Sequence, residues 1–210
     1  MLTVFHDIAI LQCLRLPRPP VGLGNCLAVR LAVGDLVGIQ VCHTTLGHRL
    51  TPERVERRQR NGLLFFALQV DGIVVASTWI VTGGQRYIDE LGWALALGSD
   101  AFWLRDVFVA PAWRGRGVFQ AFIAAIARDH VRPCQAVWSD VDWVNAQSMR
   151  AHLSAGFEVR SRLRALDFFG RVRFRGAVPS WDLPIREIAP GSRVLVLRGR
   201  ALRRHQELIA

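Results

Sequence analysis

The stretch Leu104–Ile126, LRDVFVAPAWRGRGVFQAFIAAI, decides the fold. Val107-Phe108-Val109 is an apolar run with strand character, and Ala110-Pro111-Ala112-Trp113 ends it. Arg114-Gly115-Arg116-Gly117 then opens an amphipathic helix expected to reach His130. A strand that feeds a glycine-bearing turn at a helix start makes an anion site. The first-turn N–H groups have no intrahelical partners, and the helix dipole adds partial positive charge. Gly115 and Gly117 carry no Cβ to keep a phosphate off the backbone. Arg114 and Arg116 add planar, multi-donor cations suited to phosphate oxygens. Arg-Gly runs also occur in disordered RNA-binding tails, but apolar, periodic flanks argue against a tail here. The segment predicts a βα turn that holds a pyrophosphate-bearing ligand.

A second block lies downstream: Val141–Phe157, VDWVNAQSMRAHLSAGF. Together the two blocks resemble the GNAT N-acetyltransferase superfamily. Its acyl-CoA-binding motif is Arg/Gln-x-x-Gly-x-Gly/Ala, and its downstream motif is a strand, Asn-x-x-Ser opening a helix, then Gly-Phe. Arg114 and Gly117 match the first and fourth positions of the first motif, while Phe119 stands where a small residue is usual. The likeness covers residues 25–175. It implies an α/β fold: a central, mostly antiparallel twisted sheet flanked by helices, with a splayed parallel strand pair at the CoA site. Residues 25–175 then form the acyltransferase domain, 1–24 an N-terminal extension, and 176–210 a C-terminal extension packing on or extending that domain.

The resemblance also implies an activity, transfer of acetyl from acetyl-CoA to a primary amine by direct attack, with no metal. On this reading Arg114, Gly115, Arg116, Gly117, Val118 and Phe119 wrap the pyrophosphate. The backbone of Val107, Phe108 and Val109 pairs with the pantetheine arm, and an N–H there polarises the thioester carbonyl. Asn145 contacts the pantetheine or acyl group, or caps its helix, or both. Ser148 meets the leaving thiol or bonds backbone. The chemistry needs a neutral amine, a polarised carbonyl and a proton for the thiolate. Polyamine acetyltransferases show Glu-Asp where this chain has Arg105-Asp106, so Asp106 is one candidate base. Glu90, with Asp89 beside it on the preceding strand, is the other. The family's acid is commonly a tyrosine four residues before the Gly of Gly-Phe, and His152 holds that place. Imidazole can serve at neutral pH.

Composition narrows the alternatives. The 210 residues suit one domain with a sizeable core, and 51% hydrophobic content excludes a mainly disordered chain. No run long enough to span a bilayer escapes a charge; the best, Leu63–Val81, is broken by Asp71. With no secretory leader pattern, a cytoplasmic protein is expected. Cys13, Cys26, Cys42 and Cys134 are scattered, which argues against a disulfide or zinc framework. Cys134 is either a buried strand residue or a nucleophile for covalent acyl transfer. The net charge of +10 comes from arginine alone, since the chain has no lysine. A positive field favours anionic partners, CoA among them. The arginines are dispersed, with no basic face interleaved by aromatics, which disfavours nucleic acid. The partners expected are acetyl-CoA and a small amine-bearing acceptor, with room for a homodimer. Two further readings stay open: a non-catalytic CoA-binding or interaction module on the same fold, and an N-acyltransferase using a longer acyl donor.

Local signals lay out the remaining chain. Cys26–Val33 reads as a strand, and Asp35 to Leu46 as a weakly periodic helix. Thr51-Pro52-Glu53 starts a helix that stops at Asn61-Gly62. Asp71-Gly72 joins strands Leu63–Val70 and Ile73–Val81 in a type I′ hairpin, and Gly83-Gly84 is expected to end the second. Tyr87–Leu97 reads as a strand or irregular return, Ala101–Val109 and Gln135–Asp140 as strands, and Asn145–Ala155 as a helix. Phe157–Phe168 and Arg171–Phe174 form a hairpin, and Arg193–Leu197 reads as an edge strand before an arginine-rich end. Trp79, Trp93, Trp103, Trp138 and Trp143 lie on or beside strands and are expected mostly in the core.

Overall fold

A computed structural model of the chain describes residues 3–13, 17–18, 20, 23–47, 50–88, 93–131, 136–168 and 171–174. The strands are β1 (Thr3–Cys13), β2 (Cys26–Arg30), β3 (Leu64–Val70), β4 (Ile73–Ile88), β5 (Trp93–Val109), β6 (Ala136–Asp142), β7 (Phe157–Phe168) and β8 (Arg171–Phe174). The helices are α1 (Leu36–Thr45), α2 (Pro52–Arg60), α3 (Val118–His130) and α4 (Ala146–Ser154). All the strands share one sheet in the order β2-β3-β4-β5-β6-β1-β7-β8. Every pairing is antiparallel except β5 with β6. This is the mixed, mostly antiparallel α/β sheet that the motifs imply.

Alternation along the strands sends neighbouring side chains to opposite faces, and each face has its own helices. One core gathers Trp79, Trp103 and Trp138 with Ile39 and Cys42 of α1 and Val55 of α2. The other gathers Phe66, Leu104 and Val137 with Phe122, Ile123 and Ile126 of α3. Trp143 is exposed, and the Trp93 side chain lies outside the described residues. The start of α2 follows its sequence signals: the Thr51 side chain accepts from the Arg54 N–H and Pro52 occupies the first turn. At the hairpin tip Asp71 and Gly72 have φ of 50° and 83°, as a type I′ turn requires.

Three expectations need correction. Gly83-Gly84 does not end β4; the ladder slips between Thr82 and Gly84 and the strand runs on to Ile88. β5 begins at Trp93, well before Ala101, because it continues pairing with that extended β4. The third concerns the amino-terminal segment. β1 is an interior strand, paired with β6 on one side and β7 on the other, so no boundary at residue 24 separates it from the sheet. Residues 89–92 and 175–210, with the expected edge strand at 193–197, lie outside the described residues, as does Cys134. Among the described residues, no helix is long and apolar enough to cross a membrane.

Candidate active site

The parallel ladder between β5 and β6 runs from Ala101–Ala136 to Leu104–Ser139 and goes no further. Beyond it β5 stays with β4, as far as Val109 opposite Ala76, and β6 stays with β1, as far as Asp142 opposite Ile8. The two strands therefore part. A bulge sits at the parting point: Trp79 faces Arg105 and Ser77 faces Phe108, so one residue of β4 opposes Asp106 and Val107. Asp106 takes φ of +50° there, costly for a residue with a Cβ.

The gap between the strands holds a cleft of about 460 Å³. Val107, Phe108 and Val109 form one wall, Arg114, Gly115, Gly117, Val118 and Phe119 the mouth, and Asn145, Ser148 and His152 the other wall. All the residues expected at a CoA site thus line it except Arg116, whose guanidinium lies over the Trp113 ring. Arg114 lies along the cleft wall, its Nε donating to the Val109 carbonyl at 3.1 Å and its guanidinium over Phe108.

The turn before α3 needs glycine for a reason beyond ligand access. Gly115 and Gly117 have φ of 75° and 76°. A Cβ at Gly115 would meet open space, whereas one at Gly117 would come within 2.8 Å of Pro20 Cγ. The helix itself starts at Val118, not Arg114, with Gly117 as a cap that offers no side chain. Phe119 does not crowd the turn. It points inward, 8% exposed, with its ring centroid 4.6 Å from that of His152.

A second, polar pocket of about 230 Å³ adjoins the cleft, and Val107, Asn145, Ser148 and His152 line both. Arg86, Arg105, Asp106, Ser139, Asp140 and Asp142 line the polar pocket. Asp140 accepts from Arg86 Nε and Nη2 at 3.0 and 2.9 Å and from Trp103 Nε1 at 2.6 Å. Asp106 is bound to Arg58 at 2.5 Å, with Arg105 Nε at 3.8 Å. Partial loss of water pushes the Asp106 carboxyl up, but the Arg58 and Arg105 charges outweigh this and hold it below the usual carboxylate range. Arg58 was not legible as a site residue, though α2 carried the clue. It follows the buried Val55 by three positions, which puts a cation on that helix's inner face. Glu90 and Asp89 lie outside the described residues.

His152 is 4% exposed. Its Nδ1 lies 2.8 Å from the Ser148 carbonyl and 3.4 Å from Ser148 Oγ; its Nε2 lies 2.9 Å from Ser139 Oγ. A carbonyl only accepts, so Nδ1 carries the proton and Nε2 accepts from the Ser139 hydroxyl. Burial pushes the imidazole pKa down, outweighing the opposing influence of the Ser148 carbonyl and the Asp140 charge. A resting imidazolium, the simplest form of the expected acid, is therefore disfavoured. Asn145 caps α4, its side chain accepting from the Ser148 N–H at 3.0 Å. Among the described residues, no three His, Cys, Asp or Glu side chains gather at metal-binding range.

Residues 39–157 match the acetyltransferase (GNAT) family. No curated protein matches the chain. Among solved structures, a GNAT-family acetyltransferase from Colwellia psychrerythraea is 12% identical with a TM-score of 0.50, over 82% of this chain and 57% of that one. A functionally unknown conserved protein from Staphylococcus epidermidis is 8% identical with a TM-score of 0.51, over 78% of this chain and 62% of that one. The chain thus spans less than two thirds of either structure, and the likeness is one of fold. An aminoglycoside N-acetyltransferase in complex with CoA is 23% identical, with a TM-score of 0.44 over 70% of this chain and 98% of that one.

Proposed function

The chain belongs to the acetyltransferase (GNAT) family, and from that premise we propose that it moves acetyl from acetyl-CoA to a primary amine by direct attack. The observation that carries the reading is the meeting of two cavities at the parted strands. One has an arginine- and glycine-bearing helix mouth suited to pyrophosphate; the other is polar, and the two share Val107, Asn145, Ser148 and His152. A thioester at that junction would lie between its CoA moiety and an incoming amine.

In this scheme the amides of Gly115, Gly117, Val118 and Phe119, with Arg114, hold the pyrophosphate, and Arg116 joins them by leaving the Trp113 ring. The backbone of Val107, Phe108 and Val109, where β5 has parted from β6, receives the pantetheine arm, and Asn145 and Ser148 face it across the cleft. The amine enters through the polar pocket. Glu90 and Asp106 remain the proposed bases. Asp106, ionised and paired with Arg58, would take its proton through water and as a weak base.

The test is mass spectrometry of purified protein given acetyl-CoA and a panel of primary amines, with the as-purified sample searched for bound CoA species. Acetylated amine formed only with active protein is the expected result. Retention of CoA without any acetylated product would favour a non-catalytic CoA-binding module, and CoA-dependent transfer of only longer chains would change the donor. Absence of any CoA binding would overturn the reading.

A further inference from the structure

We propose that Ser139, His152 and Ser148 form a proton relay from the polar pocket to the acyl-CoA cleft; the proposal rests on the acetyltransferase reading. Direct attack has two proton requirements on opposite sides of the thioester. Once Glu90 or Asp106 has neutralised the amine, its nitrogen must lose a second proton as its bond to the carbonyl carbon forms, and the sulfur must gain one as the carbon–sulfur bond breaks. Ser139 lines the polar pocket but not the cleft, Ser148 lines both, and His152 bridges them through its two ring nitrogens. The starting tautomer suits the direction, since the Ser148 carbonyl at 2.8 Å keeps the proton on Nδ1 and leaves Nε2 to accept from Ser139.

The transfer balances without any further reactant. Ser139 Oγ takes the proton from nitrogen while its own passes to His152 Nε2. The Nδ1 proton moves to Ser148 Oγ across the longest link, 3.4 Å, and the Ser148 hydroxyl proton goes to the departing thiolate. One proton has travelled from nitrogen to sulfur and no charge is left on the relay. The imidazole ends as the other tautomer, and exchange with water at the two hydroxyls restores it before the next turnover. Burial keeps the ring neutral, which a relay of this kind requires. The charged groups that line the same pocket are Arg86, Arg105, Asp106, Asp140 and Asp142, while α3 and β7 present the rings of Phe119 and Phe157. Any buried histidine needs a partner on each nitrogen; packing alone does not require that one hydroxyl line the polar pocket and the other also line the cleft.

The full chain can be tested with CoA itself as probe. Nitrogen-15 NMR of labelled histidine should show His152 neutral at pH 7 with its proton on Nδ1; a proton on Nε2, or an imidazolium, overturns the relay. The thiol of bound CoA, titrated by thiolate absorbance, should become about tenfold less acidic in Ser148→Ala, which removes a hydrogen bond to a charged acceptor. Ser139→Ala, which changes no group of the CoA cleft, should shift the thiol the same way by less, and Ser139→Thr should leave it near the parent value. A thiol unmoved by Ser139→Ala, with CoA still bound, overturns the proposal. Should Ser139→Ala fail to fold, the NMR result on the parent protein decides. Failure of the parent to bind CoA would instead sink the acetyltransferase reading.

Discussion

The rings of Phe119 and His152 lie 4.6 Å apart between centroids, and Phe157 closes the group at 5.1 Å from the imidazole. These are two of the positions where the chain leaves its family's pattern, a small residue at the first and tyrosine at the second. We expect the departures to compensate, since an imidazole is smaller than a phenol and the Phe119 ring lies against it. His152→Tyr alone should therefore overpack the site and cost about 1–3 kcal/mol. Phe119→Ala alone should cost about 3–5 kcal/mol. The double variant should be more stable than the sum of the two, by about 0.5–3 kcal/mol. Denaturant unfolding of the four proteins measures this, and strict additivity would show that the rings do not compensate. A pH dependence belongs to the same residue. Burial lowers the His152 pKa in the folded state, so its stabilising contribution is complete above the free value near 6.5 and drains as pH falls through the lower folded value. His152→Gln should flatten the fall in Tm between about pH 7 and pH 5.

At the scale of elements, the turn into α3 and the bulge in β5 make the site. Both glycines of the turn are left-handed, but only Gly117 has a neighbour that a Cβ would strike. Gly115→Ala should cost about 1–2 kcal/mol from backbone strain, and Gly117→Ala distinctly more, read as a larger drop in Tm. Equal losses would mean that Pro20 yields freely. Arg114→Ala should leave folding nearly unchanged, because the side chain is exposed, yet weaken acetyl-CoA binding about 10–100-fold by removing charge-assisted bonds to phosphate. Unchanged affinity in a calorimetric titration would remove Arg114 from the phosphate site. The bulge has its own tether. Arg58 of α2 reaches Asp106 and also lies over Trp79, which ties the helix on one face to the parting point of the sheet. Arg58→Met keeps the bulk and drops the charge, so Asp106 should regain a more ordinary pKa.

For the whole molecule, β1 is the element on which the sheet depends. It joins β6 to β7 through two antiparallel ladders, so deleting residues 1–13 should abolish cooperative unfolding, measured by circular dichroism. A truncated chain that melts like the parent would show that the sheet closes without it. Acetyl-CoA at a hundredfold excess over Kd should add about 2–3 kcal/mol of stability by mass action, a shift readable in Tm. What the amino-acid sequence determined by itself was local: the αβ class, the hairpin at Asp71-Gly72, the caps at Thr51 and Asn145, and the strand–turn–helix that lines the cleft. Each follows from contacts between residues close along the chain, where periodicity and capping chemistry suffice. Four features were decided only by tertiary structure: the central place of β1, the reach of β4 beyond Gly83-Gly84, the Arg58–Asp106 tether, and the Ser139–His152–Ser148 line. The first and third join residues far apart in sequence, 155 for the Asp7–Arg162 pair that links β1 to β7 and 48 for Arg58–Asp106. No local pattern encodes which strand will lie beside which, or which buried nitrogen will find which hydroxyl; packing settles both, because a buried polar group must be satisfied by whatever the fold brings near it.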